Sequence, residues 1–176
     1  MKRSFLALGL CLTFIPIAAH SQGEPGWNKS SLGANFELSV PVGAFADVAS
    51  TGYGGNLRFQ MGSGIRRVFT ATVGYIVWGT KDLGANTSVQ PKAFNFFVGG
   101  KYYIARDLYG ALEGGAYFYS YTYSGYVFGA YGNTTRFMLP IGIGYQKSGF
   151  EIGARYMLLA TYWNCFSFTL GYNFML

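Results

Sequence analysis

Residues 150–158 read Phe150-Glu151-Ile152-Gly153-Ala154-Arg155-Tyr156-Met157-Leu158, and the parity of this run decides the fold. In an extended chain successive side chains point to opposite faces. Phe150, Ile152, Ala154, Tyr156 and Leu158 then share one face, and Glu151, Gly153 and Arg155 share the other. Strict alternation over this length is the signature of a strand. The apolar face is broad, whereas the face with the charges is narrow and interrupted by glycine. A sheet that turns its greasy side outward and keeps its ions within suits a barrel in lipid better than a water-soluble domain.

Seven further runs share the pattern, near 31–41, 52–61, 67–78, 93–104, 108–120, 135–145 and 165–176. In the first, Leu32, Ala34, Phe36, Leu38 and Val40 oppose Asn35, Glu37 and Ser39. Leu57 and Phe59 oppose Arg58 in the second, and Phe69, Val73 and Tyr75 oppose Thr70, Thr72 and Gly74 in the third. Phe94, Phe96, Val98 and Tyr102 oppose Asn95 and Lys101. In 108–120 the parity is least clean, and Glu113 sets the inner face, which carries Tyr109, Tyr117 and Tyr119. Phe137, Ile141 and Ile143 oppose Arg136, and Phe166, Phe168 and Leu170 oppose Ser167 and Thr169.

Apart from Glu113, six mid-strand charges lie opposite the apolar face: Glu37, Arg58, Lys101, Arg136, Glu151 and Arg155. Because strand parity is two-valued, chance would give this roughly once in sixty. Each Arg or Lys placed against lipid costs about 2–4 kcal/mol at the bilayer midplane. With Glu113, these residues are expected to form a charge network in the lumen. A lipocalin-like soluble barrel has the opposite distribution, with an apolar interior and a polar exterior.

The connections after the second, fourth and sixth runs are tight, at 62–64, 105–107 and 146–149. Most of the others are longer. Bacterial barrels place short turns on the periplasmic side and longer loops outside. The predicted fold class is therefore all-β: an eight-stranded antiparallel up-and-down transmembrane β-barrel over 31–176, with both ends of the barrel in the periplasm. The connection near 121–134 carries Tyr121, Tyr123, Tyr126, Phe128 and Tyr131. Tyrosine offers a large amphipathic contact surface at low entropic cost, so these five are candidate surface-loop contacts. Tyr53, Trp78, Tyr102, Tyr145, Trp163 and Tyr172 lie near strand ends, where aromatic girdles meet the bilayer interfaces.

Composition agrees. Only 11% of residues are charged and 19% are aromatic, including 15 Tyr and 16 Phe, against roughly 25% charged in an ordinary soluble domain. Lys2, Arg3, an apolar run from Phe5 to Ala19 and the small residues at Ala19 and Ser21 have the layout of a secretory signal peptide. It is expected to span 1–21 and be cleaved, leaving 22–30 as an N-terminal periplasmic segment. No later run is apolar and long enough for a membrane helix.

The formal charge of +6 is scattered rather than clustered, so nucleic acid is not an expected partner. The only histidine, His20, falls in the expected signal peptide. A Ser or Thr nucleophile then lacks its usual base. No enzyme activity, metal or cofactor is expected.

The closing run Thr169-Leu170-Gly171-Tyr172-Asn173-Phe174-Met175-Leu176 resembles the C-terminal assembly signal of outer-membrane barrels. Thr169, Gly171, Phe174 and Leu176 fill its positions, although Leu176 stands where an aromatic is usual. The stretch from Gly33 through Leu57 resembles the first hairpin of small OmpA/OmpX/OmpW-like barrels. The resemblance implies a cell outer membrane location, contact with outer membrane lipids, and insertion by the barrel assembly machinery. Eight strands enclose just enough room for their own side chains. The expected function is an integral barrel with a mostly sealed polar lumen and a structural or surface-interaction role. The alternative is a small channel for hydrophobic or small polar solutes, since inward glycines such as Gly54, Gly99, Gly142 and Gly153 leave space.

Overall fold

The computed structural model describes residues 29–63, 65–84, 87–124, 131–158 and 164–176. The signal-peptide reading of 1–21, most of 22–30, and Tyr126, Phe128 and Trp163 lie outside the described residues. Among the described residues there are nine strands: β1 (Ser31–Pro41), β2 (Gly52–Gly62), β3 (Arg67–Trp78), β4 (Lys81–Gly84), β5 (Thr87–Tyr103), β6 (Leu108–Ser124), β7 (Tyr131–Lys147), β8 (Phe150–Leu158) and β9 (Cys165–Met175).

All strands but β4 form a closed antiparallel ring, each paired to its sequence neighbour, with β3 pairing β5. Ring closure joins β9 to β1 through eleven residue pairs, from Ser31–Met175 to Pro41–Cys165. Closure removes sheet edges, so backbone groups find partners all round the wall. The short β4 pairs only with the start of β5.

Parity sorts the side chains as the alternation predicts. Phe36, Leu57, Tyr75, Phe94, Leu112, Ile141, Ile152 and Phe168 stand exposed on the outer wall. Glu37, Arg58, Thr70, Asn95, Glu113, Glu151, Ser167 and Asn173 are buried on the inner one. The distribution is the inverse of a water-soluble fold, in which large apolar side chains are mostly inside and charged ones mostly exposed.

Four details differ from the sequence reading. The fourth strand starts at Thr87 rather than near 93, and β4 precedes it. The polar run Thr87, Ser88, Gln90 and Lys92, with Pro91 inside it, concealed this extension. The fifth strand continues to Ser124, and the sixth begins at Tyr131, so 121–124 and 131–134 of the expected 121–134 loop lie in strands rather than in a loop. Tyr121 therefore does not stand on a surface loop: it points inward and is buried, stacked on Tyr119 at 6.0 Å between ring centroids. Trp78 does not join an outer girdle. It has the inward parity of Thr70, Thr72 and Ile76 and is fully buried. Tyr53, Tyr102 and Tyr145 do face outward.

Candidate functional site

The lumen is filled in two layers. The layer nearer the short turns is ionic. Glu151 on β8 is its centre: it accepts hydrogen bonds from Arg58 Nη1, from Lys101 Nζ at 2.8 Å, from the Tyr109 hydroxyl at 2.6 Å and from Asn173 Nδ2 at 2.9 Å. Glu113 on β6 accepts from Arg155 Nη1 and from the Thr70 hydroxyl, both at 2.9 Å. Glu37 on β1 accepts from Arg155 Nη2 at 3.0 Å and Asn56 Nδ2 at 2.9 Å. Lys101 also donates to Gln60 and Gln146 and lies over the Tyr109 ring, 4.3 Å from its centroid.

Three carboxylates thus meet three cations, Arg58, Lys101 and Arg155, and the layer is electrically neutral. Neutrality is what burial requires, because an unpaired ion in a low-dielectric interior costs several kcal/mol. Arg136 is not part of this layer: it is exposed, although it shares the inward parity of Met138. Its position near the start of β7, beyond the ionic layer, puts it in reach of water.

The spaces beside the inward glycines are occupied. A methyl group on Gly144 would collide with the Tyr109 ring, and one on Gly142 would meet Arg155 Cγ at 2.8 Å. One on Gly153 would lie 3.0 Å from Thr169 Oγ1. These glycines admit a neighbour's bulk rather than outline a path. The void left among Arg58, Lys101, Tyr109, Glu113, Arg155 and Thr169 is about 10 Å³, close to the least space that holds one water molecule.

The second layer is aromatic and lies outside the sequence expectations. Toward the long connections, Phe97, Tyr117, Tyr119, Ile76, Trp78, Met138, Met157 and Cys165 pack into one buried cluster. A short 3-10 helix, Gly43–Asp47, in the β1–β2 connection supplies Phe45, fully buried against Trp78 at 5.4 Å and Tyr119 at 6.2 Å between centroids. Trp78 Nε1 donates to Ser39 Oγ at 3.3 Å. A loop thus lays an aromatic ring over the buried cluster at the end of the barrel that carries the long connections. Inward parity at Ile76, Trp78, Phe97 and Tyr117 held this signal, since those positions are apolar on the face that elsewhere carries charges. Cys165 is a buried free thiol within the same cluster.

Of the closing residues, Thr169 is buried inward, whereas Phe174 and Leu176 are exposed. Leu176 N donates to the carbonyl of Ser30, the residue just before β1, at 3.0 Å. Tyr123 is half-buried beside Tyr121. Tyr131 lies in β7. Among the described residues no three His, Cys, Asp or Glu side chains come together as a metal site.

Comparison with solved structures places this geometry. The crystal structure of Ail, the attachment invasion locus protein of Yersinia pestis, superposes with a TM-score of 0.63 over 84% of this chain and 99% of Ail, at 16% identity. The chain has the fold of the small outer membrane β-barrels. Ail in complex with the heparin analogue sucrose octasulfate gives a TM-score of 0.61 at 16% identity, over 83% of this chain and 98% of Ail. The backbone structure of Ail in a phospholipid bilayer nanodisc gives 0.51 at 17% identity, covering 84% and 99%. No protein-family model matches the chain, and no curated protein matches it. The barrel's likeness to Ail therefore lies in its architecture.

Proposed function

We propose that this chain is an integral outer membrane barrel with a sealed lumen, non-enzymatic, acting in membrane structure or surface interaction. The observation that carries the reading is the inverted wall: apolar side chains exposed on the outside of the ring around a neutral, buried ionic layer. In lipid this distribution satisfies both faces, whereas in water it satisfies neither. Export by a signal peptide at 1–21, and insertion by the assembly machinery through Thr169, Gly171, Phe174 and Leu176, belong to the same proposal.

The surface role has support from strand length. A membrane-crossing strand needs roughly 9–11 residues. β1, β2 and β9 have 11 residues each, but β5, β6 and β7 have 17. The excess of six residues carries these three strands roughly 20 Å farther along the strand direction. They form a ribbon that extends past the shorter strands, with Tyr123 packed against the buried cluster at its base and Arg136 exposed on it. Sucrose octasulfate binding by Ail makes sulfated glycans a reasonable first probe for that ribbon.

Planar-bilayer recording tests the sealed lumen. The expected result is silence from wild type and from Arg58→Ala, because the aromatic layer still closes the outer mouth. Steady conductance by wild type would favour the channel and overturn the proposal. The membrane reading has its own test. Phe168 is outward and 47% exposed, paired with Leu38 and Ala154. Phe168→Arg should lower stability in phospholipid vesicles by about 2–4 kcal/mol, measured as a fall in urea midpoint. A soluble barrel would tolerate the same exposed arginine within about 0.5 kcal/mol.

A further inference from the structure

The outer wall is not uniformly covered. Cross-strand pairing places two rows of outward residues side by side near the short-turn end. One runs Arg67–Tyr102–Gly110–Ile143 and the other Phe69–Gly100–Leu112–Ile141, across β3, β5, β6 and β7. Each row has a glycine where its neighbours carry large side chains. The result is a shallow, open hollow of about 730 Å³ on the lipid-facing side. Gly110 forms open floor: a methyl group there would come no nearer than 3.9 Å to Ile104 Cδ1. Neither glycine has a positive φ, so no turn geometry accounts for them.

The hollow has an electrostatic direction. Its walls, Phe69, Tyr102, Ile104, Leu112 and Ile141, are apolar, but its short-turn end is bounded by Arg67, which is exposed. Arg66 lies in the same turn, and its carbonyl accepts the backbone N–H of Tyr103 at 2.8 Å. Arg106 lies in the next turn, also exposed, with Asp107 as the one acid there. Three arginines against one aspartate leave this end cationic. A guanidinium binds phosphate oxygens in a bidentate fork.

We propose that this groove binds one anionic glycerophospholipid of the leaflet at the short turns. Its phosphate would sit on Arg67 and an acyl chain would lie over Gly110 and Gly100. An amphipathic occupant matches both ends of the hollow, whereas a free phosphate leaves the apolar part empty. A phospholipid with net negative charge is favoured over a zwitterionic one because no ammonium offsets the arginines. Attraction of one near-surface basic residue corresponds to roughly a fivefold preference. The inference rests on the membrane reading above.

The test is native mass spectrometry of the detergent-folded full chain in equal mole fractions of palmitoyl-oleoyl phosphatidylglycerol and the matching phosphatidylcholine. Heat-dependent gel mobility serves as the folding check. Wild type should retain a single phosphatidylglycerol about fivefold over phosphatidylcholine. Arg67→Glu should abolish the preference. Gly110→Leu should lose retention of both lipids by filling the floor. Lys92→Glu, on the same strand as Gly100 but toward its far end, should behave as wild type. Equal retention of the two lipids by wild type, or unchanged retention by a folded Gly110→Leu, overturns the groove alone. A chain that folds in water without detergent overturns the membrane reading and the groove with it.

Discussion

Glu151→Ala should destabilise the folded barrel by about 3–5 kcal/mol, the usual effect of removing one member of a buried ion pair. The fall in urea midpoint of the protein in phospholipid vesicles measures it. Glu151 is 1% exposed and is the shared acceptor of Arg58, Lys101, Tyr109 and Asn173. Its removal leaves the layer with two carboxylates against three cations, all enclosed. Lys101 would keep only the neutral acceptors Gln60 and Gln146. Adding Lys101→Met restores neutrality, so the double variant should be more stable than the two single losses combined would suggest. The expected coupling is about 0.5–3 kcal/mol, the range for groups in one network. A loss below about 1 kcal/mol for Glu151→Ala would mean that water reaches the layer, and the sealed lumen would not survive that result.

Trp78→Ala should cost about 3–5 kcal/mol, as for other large aromatics truncated to alanine in packed interiors. Trp78 is completely buried and touches Phe45, Tyr117 and Tyr119 with centroids 5.4, 6.0 and 5.6 Å apart. Phe45 packs on it, and the 3-10 helix Gly43–Asp47 has no side-chain cap. The variant should therefore show a second effect that Glu151→Ala lacks. Chymotrypsin added outside sealed vesicles should cleave at Phe45 in Trp78→Ala and spare wild type. Trp78→Phe should restore most of the protection. Equal resistance of wild type and Trp78→Ala would show that Phe45 is held by something other than this ring.

The architecture was legible because parity is binary and lipid makes errors expensive. Arg58 on the wrong face would lie in hydrocarbon, so its position reports the register of the whole of β2. The same rule placed Glu113 inward on the least regular strand, and through it Tyr109, Tyr117 and Tyr119. What parity does not give is height. Arg136 shares the inward parity of Met138 yet is exposed, because facing the axis and lying at the depth of the network are separate conditions. The aromatic layer is hidden in the sequence for a related reason. Nearness to a strand end suggests a girdle position for Trp78, whereas its parity with Thr70 and Thr72 turns it inward. The layer depends further on a loop folding back, and no periodicity marks the contact of Phe45 with Trp78. Likewise the extension of β5 and β6 is decided by mutual pairing such as Pro91 with Tyr121, which overrides the turn-like composition near 87–92.

The eleven-pair seam between β1 and β9 also fixes an order of events. Arg58 and Gln60 belong to the second strand, whereas their partners Glu151 and Asn173 belong to the last two. Contacts so distant in sequence form only after the intervening chain has been brought together. Until the seam zips, the acids and bases of the interior remain hydrated and bear no burial penalty. Dehydration then falls on all six ions together, at the moment when each already has its counter-ion within reach. The last stretch of polypeptide is thus the latch that lets charge enter the cylinder, and truncating it should strand a half-built, water-filled intermediate.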